Sequence, residues 1–309
     1  MRAIFMGTPE FAVHSLDTLV NKGVQVELVI TQMDKRQGRK MKLEPPAVKK
    51  RALELNLPIY QPQSVKSDEA VQKISYIKPD LIVVTAYGQI IPKSILDIPR
   101  LGVINVHASL LPKYRGASPI NSAILNAEKV TGITTMYVQE GLDTGDIILK
   151  DEIDIEPEDT AVTLGEKLAK LSEKTLGNTL NLLELDANVN RIPQDESQSS
   201  YCTLIDKKMG HIDFSQDCKK IINQIRAYQP WPCAYTYVDG KNMKIYKAHD
   251  TGIRSVQPPA TVTSSDKQLT IATGTNDISI ITLQIAGKNR MDVSDFLRGN
   301  KIQVGTVLE

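Results

Sequence analysis

RAIFMGTPEFAVHSLDTLVNKGVQVELVI, residues 2–30, decides the fold. The apolar run Arg2–Met6 stops at Gly7-Thr8-Pro9, Phe11–Leu19 carries apolar residues at helical spacing, and Val24–Ile30 is rich in β-branched residues. A strand, a helix and a second strand in this order open a mostly parallel sheet wrapped by helices. Gly7-Thr8-Pro9 lacks the second and third glycines of a dinucleotide fingerprint, which weakens an NAD reading.

The alternation continues outward. Residues 47–56 and 67–77 have helical patterns, Asp80–Ala86 reads as a buried strand before Gly88, and Gly102–Val106 and Gly132–Val138 read as further strands. The expected fold is therefore α/β, with a Rossmann-like, mostly parallel sheet over residues 1–189. Residues 160–185 form a long amphipathic helix whose stripe is Val162, Leu164, Leu168, Leu171, Leu176, Leu180 and Leu183, a core-packing pattern. Asp186–Ser200 is turn-forming and poor in apolar residues, and places a linker at 190–206. Beyond it, one helix (Cys218–Tyr228) precedes short β-rich runs broken by Asp239-Gly240, Gly252 and Gly274. Residues 207–309 are thus expected to form a second domain, a small β-barrel or sandwich of about 100 residues.

Length and composition agree with two globular domains: 309 residues, 41% hydrophobic and 24% charged. No window approaches the roughly 18 apolar residues of a membrane span. The first strand begins at once, with no basic-then-apolar leader ahead of it. Cys202, Cys218 and Cys233 have neither Cys-x-x-Cys spacing nor an even count. They point to a reducing cytoplasm rather than a disulfide or zinc framework.

The net charge of +1 conceals a division. Residues 31–51 hold eight basic residues (Lys35, Arg36, Arg39, Lys40, Lys42, Lys49, Lys50 and Arg51) against Asp34 and Glu44, a local +6. Residues 207–309 hold 14 basic and 9 acidic residues, a further +5, so the remainder carries −10. Two basic regions suit a polyanion, although charge runs also serve as solvated faces. Thr31–Pro46, basic and closed by Pro45-Pro46, is longer than most loops inside a domain and reads as an arm that folds onto a partner, or as a disordered surface insertion.

The richest chemistry lies in 102–146. Asn105 and His107, two apart at a strand end, point the same way off the sheet, where open parallel sheets bind ligands. A turn follows (Ser109-Leu110-Leu111-Pro112), then Arg115-Gly116. Asp143 sits between the glycines of Gly141-Leu142-Asp143-Thr144-Gly145-Asp146. A nucleophilic serine requires a sharp elbow, and no Gly-x-Ser-x-Gly is present. A catalytic metal usually requires three protein ligands, and one His with one Asp falls short. Acyl transfer to an external amine suits the trio. An amide and a protonated imidazole stabilise an oxyanion, while a carboxylate orients the imidazole and helps the amine lose its proton. A structural strand end and a turn cap are the competing account of the same residues. His14, His211 and His249 read as surface or packing residues. Trp231, between two prolines, reads as an anchor at a domain junction or barrel wall rather than an RNA-stacking platform.

Asn105-Val106-His107-Ala108-Ser109-Leu110-Leu111-Pro112-Lys113-Tyr114-Arg115-Gly116 resembles the signature of the folate-dependent formyltransferases, and Leu142–Asp146 resembles that family's second motif. The likeness extends to Phe5–Ala12, Ala86-Tyr87-Gly88, Arg226-Ala227 with Pro230-Trp231-Pro232, and Leu283–Lys288. Departures are Ala108 for a common Gly, Lys113-Tyr114 for Arg-Trp, and Ile285-Ala286 for Pro-Ala. The resemblance implies a catalytic trio of Asn105, His107 and Asp143. It also implies 10-formyltetrahydrofolate as formyl donor, a folate-contacting turn at Ser109, Leu110, Leu111 and Pro112, and no metal. The C-terminal motifs and the basic loop imply initiator methionyl-tRNA as acceptor, met by Arg39, Lys40 and Lys42 and by an OB-like barrel, in a cytoplasmic monomer. The trio alone also fits family members acting on a nucleotide or amino-sugar acceptor.

Overall fold

In chain order the elements of the first half are β1 (Arg2–Gly7), α1 (Glu10–Asn21), β2 (Gln25–Ile30), β3 (Lys35–Gln37), β4 (Lys42–Glu44), α2 (Ala47–Glu54), β5 (Ile59–Tyr60), α3 (Asp68–Ile77) and β6 (Leu81–Thr85). They continue with α4 (Lys93–Leu96), β7 (Val103–His107), β8 (Arg115–Gly116), α5 (Pro119–Leu125), β9 (Val130–Tyr137), β10 (Ile147–Asp154), α6 (Ala161–Leu185) and β11 (Tyr201–Cys202). This computed structural model describes residues 1–37, 41–185, 189 and 191–309. The chain divides into two units: Met1–Gly116, Val130–Asp154 and Gly165–Cys202 in the first, and Ala117–Lys129, Ile155–Leu164 and Thr203–Glu309 in the second.

The first unit is built on a seven-stranded sheet ordered β10-β9-β7-β6-β1-β2-β5. From β7 to β5 the strands are parallel; β9 and β10 are antiparallel additions at one edge. The central strands are buried on both faces, as Ala3, Ile4, Phe5, Met6, Ile82 and Val83 show, which is why they read as unbroken apolar runs instead of alternating ones. Proline at the start of α1 ends β1, and Ala12, Leu16 and Leu19 bury one face of that helix. β10 escapes the apolar pattern because its edge alternates half-buried and exposed residues, with Lys150, Glu152 and Asp154 outward.

Two expectations need correction. In α6, Leu164, Leu168, Leu176, Leu180 and Leu183 are buried, but Val162 is exposed. Two residues along a helix is about 200° of rotation, so Val162 faces away from Leu164. The Thr31–Pro46 loop is not irregular throughout. β3 pairs antiparallel with β4, Lys35 opposite Glu44 and Arg36 opposite Leu43. Lys49 anchors the loop base through a 2.8 Å ion pair with Asp34, whose carboxyl is held below its ordinary range chiefly by hydrogen bonds from Lys49 and Gln61.

The second unit contains α7 (Cys218–Ala227), β12 (Ala234–Val238), β13 (Lys241–Arg254), β14 (Val262–Ser265), β15 (Leu269–Ile271), β16 (Asn276–Ile285), β17 (Met291–Asp292) and α8 (Val293–Gly299). Its antiparallel sheet runs β12-β13-β16-β15-β14, with β17 on β16. The β12–β13 hairpin turns at Asp239-Gly240, both at positive φ, the backbone that a two-residue hairpin requires and that this dipeptide accepts. Ile221, Ile225, Met243, Ile245, Leu269, Ile271, Ile278 and Ile280 form the core. Strand pairing leaves the sheet open instead of closing it into a barrel. The C-terminal segment touches both edges: Glu309 and Tyr237 exchange backbone hydrogen bonds, and Leu308 donates to Ala260 beside β14. Trp231 is 54% exposed and builds no wall. No helix among the described residues is long and apolar enough to cross a membrane.

Candidate active site

The site assembles at the carboxyl end of β7. Parallel pairing to β6 sets Asn105 beside Val84, and antiparallel pairing to β9 sets His107 beside Thr134. Alternation along the strand sends Asn105 and His107 to one face. His107 is nearly fully buried. Its Nε2 lies 2.9 Å from the Tyr114 carbonyl oxygen, to which it donates, and its Nδ1 lies 3.7 Å from Asp143 Oδ2. Nε2 is thus bound to a backbone carbonyl, while Nδ1 faces the Asp143 carboxylate from beyond hydrogen-bond distance.

Asp143 comes from a separate loop. Its Oδ2 accepts the Gly116 N–H at 2.8 Å, and its Oδ1 accepts from Asn105 Nδ2 at 3.4 Å. The structure thus brings Asn105, His107 and Asp143 into one cluster, 38 residues of chain separating the amide from the carboxylate. Asp143 has φ +53°, a left-handed conformation that few non-glycine residues adopt unless their surroundings impose it. Two residues on, a Cβ at Gly145 would lie 1.8 Å from the Tyr137 carbonyl oxygen, so only glycine lets this loop pass.

The turn after β7 is held from β9. Thr134 Oγ1 donates to the Ser109 carbonyl at 2.6 Å and accepts from the Leu111 N–H at 3.2 Å. Ser109 Oγ donates to the Lys113 carbonyl at 2.6 Å, and Lys150 Nζ donates to the Leu111 carbonyl. Ser109 and Leu111 are fully buried, Leu111 packing with Met136 and Ile147, so Leu110 and Pro112 give the turn its accessible side chains. Leu142 beside Asp143 and Ile90 in the loop after β6 are exposed apolar side chains. The Tyr87 carbonyl of Ala86-Tyr87-Gly88 accepts from Thr8 Oγ1 and Gln32 Nε2, both at 3.0 Å, pinning the β1 and β6 ends together. Lys42 is exposed on β4; Arg39 and Lys40 lie outside the described residues.

Sequence reasoning missed the residues behind this cluster. Arg115 is fully buried. Its guanidinium donates to Gln194 Oε1, to both Glu196 oxygens and to Tyr201 Oη, at 2.7–3.1 Å. The hydrogen bond with Glu196 raises the arginine's pKa and lowers the carboxyl's. Gln194 and Glu196 belong to the polar stretch after α6, and no periodicity marks them. The one signal was Arg115 itself, since an arginine within a tight motif requires partners once buried.

The cluster can offer an amide and an imidazole to a developing oxyanion, and a carboxylate to an attacking amine. The formyl transferase family model matches residues 1–180, and the model of the formyl transferase C-terminal domain matches residues 204–301. A methionyl-tRNA formyltransferase of Alkaliphilus oremlandii is 46% identical over 309 residues, 100% of this chain and 99% of the relative. One from Caldanaerobacter subterraneus is 46% identical over 310 residues, 100% of both chains. Among solved structures, HypX from Aquifex aeolicus in complex with tetrahydrofolic acid shares the fold, with TM-score 0.63 and 17% identity over 99% of this chain and 50% of that one.

Proposed function

The chain belongs to the formyl transferase family, and we propose that it transfers the formyl group of 10-formyltetrahydrofolate to the α-amino group of methionine on initiator methionyl-tRNA. The product is N-formylmethionyl-tRNA, for translation initiation. The observation that carries this reading is 46% identity to methionyl-tRNA formyltransferases along the whole chain, the C-terminal segment included.

The methionine amine attacks the formyl carbon, a C–N bond forms, and the carbonyl oxygen takes up negative charge. Asn105 Nδ2 and the His107 imidazole stabilise that charge. Asp143 orients His107 and receives the proton that the attacking nitrogen loses. Collapse breaks the bond to the folate nitrogen, which leaves with the proton handed on from Asp143. In other enzymes, one such oxyanion donor is worth about 3–4 kcal/mol, or 10²–10³ in rate.

The turn Ser109–Pro112 meets the folate, Leu110 and Pro112 by side chain, with buried Ser109 and Leu111 fixing the turn's shape; exposed Ile90 and Leu142 supply apolar surface for its ring. Arg39, Lys40 and Lys42 meet the tRNA, with residues 207–309 as an OB-like tRNA-binding domain after a linker at 190–206. The barrel reading is supported by the C-terminal segment, which bonds to both edges of the antiparallel sheet. The enzyme works as a cytoplasmic monomer.

The test is an acceptor panel: labelled 10-formyltetrahydrofolate with charged initiator tRNA, charged elongator methionyl-tRNA, and amino-sugar nucleotides. Label on initiator methionine alone supports the proposal. Label on a sugar nucleotide, or on no acceptor, refutes it.

A further inference from the structure

We infer that Gln194 is a positioning residue for the transfer reaction, a clamp that fixes Asp143 against His107. The inference rests on the role proposed above for Asp143. Gln194 Nε2 donates to the backbone carbonyls of Asp143 and Gly145, at 2.8 and 2.7 Å. Its Oε1 accepts two N–H groups from Arg115, from Nε at 3.1 Å and Nη2 at 2.8 Å. The amide has no choice of orientation, because carbonyls require donors and a guanidinium requires an acceptor. Rotating it by half a turn would break all four contacts at once.

Arg115 is fully buried and precedes Gly116, whose N–H holds the Asp143 carboxylate. One rigid dipeptide therefore grips the catalytic loop twice, through the Gly116 N–H at the carboxylate and through Gln194 at the backbone. The grip is required because Asp143 is left-handed, at φ +53°. An unheld aspartate relaxes toward the ordinary negative-φ regions. That relaxation moves its carboxylate, already 3.7 Å from His107 Nδ1, and a misplacement near 1 Å costs about 10²-fold in rate.

Gln194→Glu separates positioning from docking. The new carboxylate keeps its bonds to Arg115, so the 191–202 segment stays in place, but it turns a donor pair into an acceptor facing two carbonyls. The expected result is a fall in kcat of about 10- to 100-fold. KM for folate donor and charged tRNA should stay within about threefold. Gln194→Ala, which removes the clamp without introducing charge, should lower kcat in the same direction. In an Asp143→Asn background neither substitution should cause a further loss, because the group being positioned is gone. Full kcat in both single variants, or an undiminished loss in the Asp143→Asn background, overturns the clamp. Full activity of Asp143→Asn by itself overturns the role of Asp143, an outcome distinct from failure of the clamp alone.

Discussion

At the scale of single residues, the site depends on close approaches that leave little freedom. Gly145 has no room for a methyl group beneath the Tyr137 carbonyl, so Gly145→Ala must displace the loop that carries Asp143. Steady-state kinetics should show kcat reduced by about 10²-fold, and an unchanged kcat would show that the loop tolerates the shift. Glu196 supplies a pH dependence. Its carboxyl is lowered from an ordinary 4.5, first by the hydrogen bond from Arg115. A lowered folded-state value means the stabilisation is complete above 4.5 and is lost as the pH falls through the lower, folded value. Melting curves of wild type and Glu196→Gln should therefore differ at neutral pH and converge in acid. Parallel curves down to pH of about 2 would contradict this assignment.

At the scale of elements, legibility followed burial. β1 and β6 were readable because both faces are covered, so their apolar runs are unbroken, and β7 was readable despite Asn105. The edge strand β10 was not legible, since three of its eight side chains face water in alternation with half-buried ones. Nor was the β3–β4 ladder, whose strands of three residues carry mostly polar side chains. The α6 stripe was legible except at Val162, where apolar character misled and helical phase decides. Leu176→Ala should cost about 2–5 kcal/mol of unfolding free energy, whereas Val162→Ala should stay within about 0.5 kcal/mol. Denaturant titrations of the two variants separate core from surface directly; equal losses would contradict the phase argument.

At the scale of the whole molecule, the partition of charge matters more than its +1 total. Residues 31–51 and 207–309 are both basic, and phosphate contacts release counterions. Affinity for charged tRNA should fall with salt on a log–log slope of about −0.7 to −0.9 per phosphate contact. Replacing Arg39, Lys40 and Lys42 with alanine should make that slope shallower and leave donor affinity intact; an unchanged slope would remove the loop from the tRNA surface. Asn105, His107 and Asp143, which lie in one cluster, were singled out by a strand end, a glycine-flanked loop and the family resemblance. Arg115's partners were not, because Gln194 and Glu196 lie 79 and 81 residues away, in sequence that looks like any polar connection. The most direct test of the account is single-turnover transfer of labelled formyl from 10-formyltetrahydrofolate to initiator methionyl-tRNA, both saturating. The account predicts label on the methionine amine with wild-type protein, and rates lower by about 10²–10³ for Asn105→Ala and His107→Ala with folding intact. Absence of label, or wild-type rates in both variants, would contradict it.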